Sequence, residues 1–200
     1  MLPTTQAIAL ALGTAIVLIV PGPTNTLLAA AGLRQGFRRS VRLVAAELAG
    51  YLIAITAWGC FLAQAEQSFP RLSTFVRIAS SLYIAYLAVR MWRVAISPPV
   101  PGQQAIGPRE LFVATLLNPK AILFAGTIFP AAAFSTLGVY AESIAIFIAL
   151  LVPIALGWIA FGAALGGGRL RWVNPIHAQR CASVVLGFFA LSVGWTALGA

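Results

Sequence analysis

Apolar runs of roughly 20 residues recur along this chain, separated by short stretches that gather the charges. Such a run, coiled as an α-helix, is long enough to cross about 30 Å of hydrocarbon. The pattern predicts six spans, at residues 6–33, 41–63, 72–92, 110–132, 138–165 and 179–199. No alternation of apolar and polar residues at the strand period supports a barrel. The expected fold is an all-α polytopic membrane protein with almost no chain left over for a soluble domain. Composition agrees: only 8% of residues are charged, against about a quarter in soluble domains.

The formal net charge of +9 would suit a nucleic-acid binder, but its placement argues otherwise. Arg34, Arg38, Arg39 and Arg42 fall between spans 1 and 2. Arg90, Arg93 and Arg109 fall between spans 3 and 4, and Arg169, Arg171 and Arg180 between spans 5 and 6. The alternate connections hold only Arg71 and Arg77 with Glu66, and Glu142. Cytoplasmic loops collect Lys and Arg, so the odd-to-even connections are expected inside and both termini in the periplasm. Anionic headgroups are the expected neighbours of these arginines. Nucleic acid is not an expected partner, since no basic face carries interleaved aromatics. The first apolar run lacks a basic leader and a small-residue cleavage site, and it reads as a retained helix. Cys60 and Cys181 form neither a disulfide framework nor a metal spacing, and they read as packing residues.

Residues 94–109, "VAISPPVPGQQAIGPR", are the one long linker, expected on the cytoplasmic side. It divides a single transporter domain, 1–200, into halves at 1–93 and 110–200, each of three spans. An odd number of spans per half makes the second enter from the opposite side, which is the arithmetic of an inverted-topology repeat. The repeat rests on this counting, because direct similarity between the halves is weak.

The first span of each half is interrupted. Span 1 breaks at Pro21-Gly22-Pro23 and span 4 at Asn118-Pro119-Lys120. Counting back from the nearest loop arginine gives roughly 16 Å of helix to Pro23 and roughly 13 Å to Asn118. Both breaks are therefore expected near the bilayer midplane, at similar depth. Proline cannot donate a backbone hydrogen bond, and irregular backbone at that depth is tolerated only inside protein or beside a watery cavity. Freed carbonyls and amides can bind a polar solute, and a half-helix N-terminus favours a carboxylate. Paired interruptions in corresponding spans point to a transport site. The competing reading of each break is a kink whose backbone is satisfied by neighbours.

Lys120, the only lysine, is the one charge expected near the midplane. It is a candidate partner for a solute carboxylate or for Glu47, against the reading of a side chain snorkelling to an interface. Glu47, about 8 Å into span 2, is a candidate for binding a solute amine or carrying a proton. The alternative is an interfacial carboxylate paired with a loop arginine. Gly50 and Ala54 share its face, which is therefore expected to turn inward. Asn25 and Asn118, with both donor and acceptor, suit a zwitterion or a local cap on broken backbone. His177 reads as a surface residue. Gly162 and Gly166 read as helix packing, and Trp58, Trp92, Trp158 and Trp172 as interface or packing groups.

These stretches resemble a known family. "PGPTNTLLAAAGLRQGFRRSVRLVAAELAG" is similar to the first signature of the LysE/RhtB amino-acid exporters, with a basic turn around Gly36. "ELFVATLLNPKAILFAGTIFP" resembles the second, closing at Pro130, and "SSLYIAYLAVRMWR" the end of the third helix. The resemblance covers nearly the whole chain. It implies a bacterial inner-membrane transporter exporting amino acids or their derivatives, driven by protons. Many members carry an Asp after the span 2 glycine; here Tyr51 follows Gly50, and Glu47 stands one turn earlier as the coupling candidate. The substrate-binding candidates are Pro21, Gly22, Pro23, Asn25, Asn118, Pro119 and Lys120. The expected partners are the amino acid, protons and membrane lipids, with a homodimer left open and no cofactor or metal. An exporter of another small solute or a metal cation is the alternative. A membrane-embedded enzyme fits less well, because catalysis wants clustered acid–base or nucleophilic groups.

Overall fold

The computed structural model describes residues 2–68 and 107–166 throughout, with separate positions between 75 and 93 and between 180 and 195. Among the described residues the chain is helical and forms no strand. The order is α1 (Thr4–Ile19), α2 (Pro23–Gln35), α3 (Phe37–Ser40), α4 (Arg42–Ser68), α5 (Pro108–Leu116) and α6 (Lys120–Leu123). A π-helical turn (Phe124–Ile128), a 3-10 turn (Ala131–Phe134) and α7 (Leu137–Gly166) follow.

Two helical stretches, Phe37–Ala65 (α3 running into α4) and Leu137–Gly166, are long and apolar enough to cross a membrane. Two bent pairs qualify when each is taken as one span: α1 with α2, bent by 55°, and α5 with Lys120–Ile128, bent by 50°. These correspond to predicted spans 2, 5, 1 and 4. Spans 3 and 6 fall largely outside the described residues. So do the linker from 94 to 106, His177, Cys181, Trp172, and Arg71, Arg77, Arg90, Arg169 and Arg171. Among the described residues, two to four helical units are thus long and apolar enough to cross a membrane.

The largest boundary differences are four residues: the helical stretch matching predicted span 2 begins at Phe37, not 41, and that matching span 4 ends at Ile128, not 132. Phe129 turns extended (φ −70°, ψ 136°) because the ring of Pro130 disfavours the α conformation in the residue before it. At the other expected turn, Gly36 holds φ 76°, a conformation that L side chains rarely adopt. It ends α2 and precedes the arginine-rich α3, with Ser40 Oγ donating to the Gly36 carbonyl at 2.9 Å.

Backbone contact at glycines sets the packing. A Cβ on Gly32 would run into the Ile159 carbonyl, and one on Gly162 into the Ala29 carbonyl. Here α2 and α7 therefore touch main chain to main chain, the close approach that small residues allow between membrane helices. Gly50 does the same for α4 and α5, where a Cβ would lie 2.8 Å from Thr115 Cβ and 3.0 Å from the Phe112 carbonyl. The buried stripe of α7, from Val139 through Ser143, Phe147, Leu151, Ala155 and Ile159 to Gly162, lies on a helix that packs against α1, α2 and α4. Elsewhere apolar side chains such as Leu12, Ile53 and Leu117 stand exposed, as lipid-facing positions do. Tyr51, Phe124 and Phe147 meet edge to face at centroid distances of 5.1 to 5.8 Å, an arrangement that aromatic quadrupoles favour.

Candidate functional site

The first break follows from its two prolines. In a continuous helix the Val17 carbonyl would accept from residue 21 and the Ile19 carbonyl from residue 23. Both positions are proline and have no N–H to give. Pro21 also drives Val20 into extended backbone (φ −64°, ψ 129°). The chain stays extended through Gly22 (φ −139°, ψ −176°), and Pro23 starts α2 at its first turn, where a missing N–H costs nothing. The last turn of α1 is left with carbonyls that need donors.

Two side chains supply them. Asn25, one turn into α2, folds back and its Nδ2 donates to the carbonyls of Leu18 at 2.6 Å and Val20 at 2.9 Å. Lys120 comes from the other break, and its Nζ donates to the carbonyls of Val17 at 2.9 Å and Val20 at 2.8 Å. Gly22 makes room for it, since a Cβ there would lie 2.9 Å from both Cε and Nζ of Lys120. Lys120 is 4% exposed, so its ammonium is held inside the protein and does not reach for an interface.

The second break is tighter. Leu117 (φ −89°, ψ 6°) and Pro119 (φ −62°, ψ −15°) stay close to helical backbone. Local bonds persist: the Asn118 N–H donates to Thr115 O at 3.0 Å, and the Ala121 N–H to Asn118 O at 2.9 Å. Asn118 Oδ1 accepts the Lys120 N–H at 3.1 Å. Its Nδ2 donates to Tyr51 Oη at 3.1 Å and reaches Thr24 Oγ1 at 3.5 Å.

Glu47 and Tyr51, one turn apart on α4, close the group. The Glu47 carboxyl hydrogen-bonds the Thr24 side chain and interacts electrostatically with Lys120. Glu47 is buried, so it sits in the interior with the breaks. Tyr51 Oη lies 3.5 Å from Thr24 Oγ1, while its ring joins the aromatic cluster. The inward face expected for Glu47, Gly50 and Ala54 is buried as predicted. The breaks therefore converge: Gly22, Asn25, Asn118 and Lys120 come together, Pro21, Pro23 and Pro119 shape the backbone around them, and Glu47 joins from α4.

Thr24 and Tyr51 were not among the sequence candidates, yet both are fully buried and link the breaks to Glu47. The available signal was spacing. Tyr51 follows Glu47 by four residues, which stacks the two on one helix face, and Thr24 directly follows the break. Thr24, Asn25, Glu47, Tyr51, Asn118 and Lys120 are all buried, so the structure holds the site closed. Two further buried hydroxyls, Thr14 Oγ1 and Thr127 Oγ1, find no hydrogen-bond partner. Among the described residues no group of three or more His, Cys, Asp or Glu could hold a metal ion.

A pair of bent apolar helices meeting at a buried cluster of charged and amide side chains defines a multi-pass membrane protein of the translocating kind. The sequence model of the LysE type translocator family matches residues 15–199, and the chain belongs to that family. Among curated proteins it is 27% identical over 169 residues to the cysteine/O-acetylserine efflux protein of Klebsiella pneumoniae, covering 82% of this chain and 78% of that protein. It is 27% identical over 114 residues to the protein of the same name from Salmonella typhimurium, covering 56% of this chain and 57% of that one. No solved structure matches the chain.

Proposed function

We propose that this protein is a secondary transporter of the bacterial inner membrane that exports an amino acid or amino-acid derivative, coupled to protons and working by alternating access. The observation that carries the reading is the bridge between the two breaks: Lys120 of one sits on the Val17 and Val20 carbonyls of the other. An intramembrane charge at paired helix interruptions is the signature of a transport site.

In this reading Pro21, Gly22, Pro23, Asn25, Asn118, Pro119 and Lys120 form the solute site. The α2 N-terminus, which carries no side-chain cap, favours the solute carboxylate. Glu47 carries the coupling proton. The chain is arranged as two inverted three-helix repeats, with arginine-rich loops in the cytoplasm and both termini in the periplasm. Opening toward one side and then the other is what the closed site requires, since a solute has no route to buried groups without it. The named activity of the curated relatives supports small polar amino acids, cysteine and O-acetylserine among them, as solutes.

Uptake of labelled amino acids into inverted vesicles, with and without an imposed proton gradient, tests the reading. Accumulation of at least one amino acid that collapses with the gradient is expected. Vesicles that take up none would overturn it.

A further inference from the structure

The Lys120 ammonium occupies an unusual berth. Two main-chain carbonyls at 2.8 and 2.9 Å hold the same nitrogen, and Gly22 leaves the backbone bare where the side chain ends. Nothing in this berth is specific to a lysine tip. An ammonium presents three donors to whatever acceptors surround it, and an amino acid's own ammonium has the same charge and donors. Satisfying two carbonyls does not require a cation either. Asn25 does it for Leu18 and Val20 with a neutral amide, and burying a charge for that purpose alone is a costly choice. Lysine differs from a fixed partner in its flexible four-carbon stem.

We propose that Lys120 is a tethered stand-in for the solute's ammonium, which takes over the Val17 and Val20 carbonyls while the displaced Lys120 swings onto the solute's carboxylate. The proposal rests on the export reading above and deepens it by assigning each end of the solute to a partner. Charge is conserved through the exchange. The carbonyls lose one ammonium and gain another, and the lysine trades neutral acceptors for an anion. Glu47 interacts electrostatically with Lys120 before the exchange. The exchange needs both ends of the solute. An amine alone would eject Lys120 with no anion to receive it. An acid alone would draw Lys120 away and leave the Val17 carbonyl bare, with Val20 keeping only its bond from Asn25. The solute class is thus a zwitterion with an ammonium and a carboxylate on one small molecule.

Lys120 is the only lysine in the chain, so protein grown with ¹⁵Nζ,¹³Cε-lysine gives one side-chain NMR signal without any substitution. The probes are the protein amino acids and O-acetyl-L-serine, added singly to the protein in detergent. At least one is expected to move the signal saturably to a second position. The decarboxylated amine and the deaminated acid of that same compound should each leave it in place. Two results overturn the proposal: a signal unmoved by every amino acid, or the same shift produced by the amine or the acid alone. The vesicle assay separates the failures. If vesicles accumulate an amino acid that leaves the Lys120 signal unmoved, the export reading stands and the tethered stand-in falls. If nothing is accumulated and nothing moves the signal, both fall.

Discussion

The two breaks bend their helices by nearly the same angle, 55° and 50°, yet their chemistry is opposite. At the first, extended backbone from Val20 to Gly22 exposes acceptors, the carbonyls of Val17, Leu18 and Val20. At the second, Leu117 and Pro119 keep near-helical backbone on either side of Asn118 and local bonds persist, and the break contributes donors, Lys120 Nζ and Asn118 Nδ2. One break is a socket and the other a plug. The difference lies in the residue between the prolines. Pro-Gly-Pro removes two donors and inserts an extended residue before the helix restarts, whereas a single proline after Asn118 permits only a kink. Matched bends therefore need not mean matched roles, and a two-ended solute is suited to a site whose halves differ in this way.

Removing the plug is the harshest way to break the comparison. Lys120→Met should abolish gradient-driven uptake in inverted vesicles, a loss of about a hundredfold or more, because hydrogen bonds to a charged group contribute about 1.5–3 kcal/mol each. The variant should still insert and elute as folded protein. Normal export would show that the ammonium is dispensable. Glu47→Gln keeps the hydrogen-bonding shape and removes the charge facing Lys120. It should flatten the dependence of uptake on the imposed pH gradient by about tenfold while changing solute affinity by less. An unaltered gradient response would move coupling elsewhere.

The asymmetry itself is tested by paired alanines. Pro21→Ala gives the Val17 carbonyl an N–H and relieves the constraint on Val20, so the socket should close. Solute binding should fall about tenfold or more, with thermal stability unchanged or improved. Pro119→Ala replaces a proline whose φ and ψ suit alanine, and its effect should stay within about 1 kcal/mol in stability and be small in transport. Equal losses at both sites would show that the two breaks do not differ in role. Gly22→Ala sharpens it further. The added methyl would press on Lys120 Cε and Nζ and should lower uptake several-fold without unfolding the protein, since the obstructed group is the end of a flexible chain. The smallest effect is expected at Thr14, on the α1 side of the socket. Its buried hydroxyl has no partner, so Thr14→Val should be neutral or stabilise by about 1 kcal/mol in a thermal melt. A clear loss would mean that the hydroxyl serves the solute.

Much of this was legible in the sequence. The proline positions located both breaks, depth counting placed them at one level, and the rarity of charge within the spans singled out Lys120 and Glu47. The i+4 arithmetic even names which carbonyls lose their donors. Two things were not legible. Which donors satisfy those carbonyls depends on contacts between residues about a hundred positions apart, such as Lys120 with Val20, and local pattern carries no such information. In the sequence Tyr51 stands out only for the aspartate it replaces relative to many members of the resembled family. Its part in bridging Asn118 and Thr24 emerges only when α4 packs against α5 through the bare backbone at Gly50. Asn25 and Asn118 carried two readings, and in the closed structure each forms bonds to local backbone.

The bridge also has a consequence for how the protein is made. Val17 and Val20 leave the ribosome 103 and 100 residues ahead of Lys120. At about 5–20 residues per second, the socket waits about 5 to 20 seconds for its plug. Asn25 covers Leu18 and Val20 from the start, but the Val17 carbonyl has no protein donor until the second half of the chain arrives. Through that interval the first span carries a group that hydrocarbon penalises by several kcal/mol, which favours keeping it beside water or the insertion machinery. Final seating of the first span is therefore an event of the whole chain, completed only when Lys120 reaches Val17 and Val20.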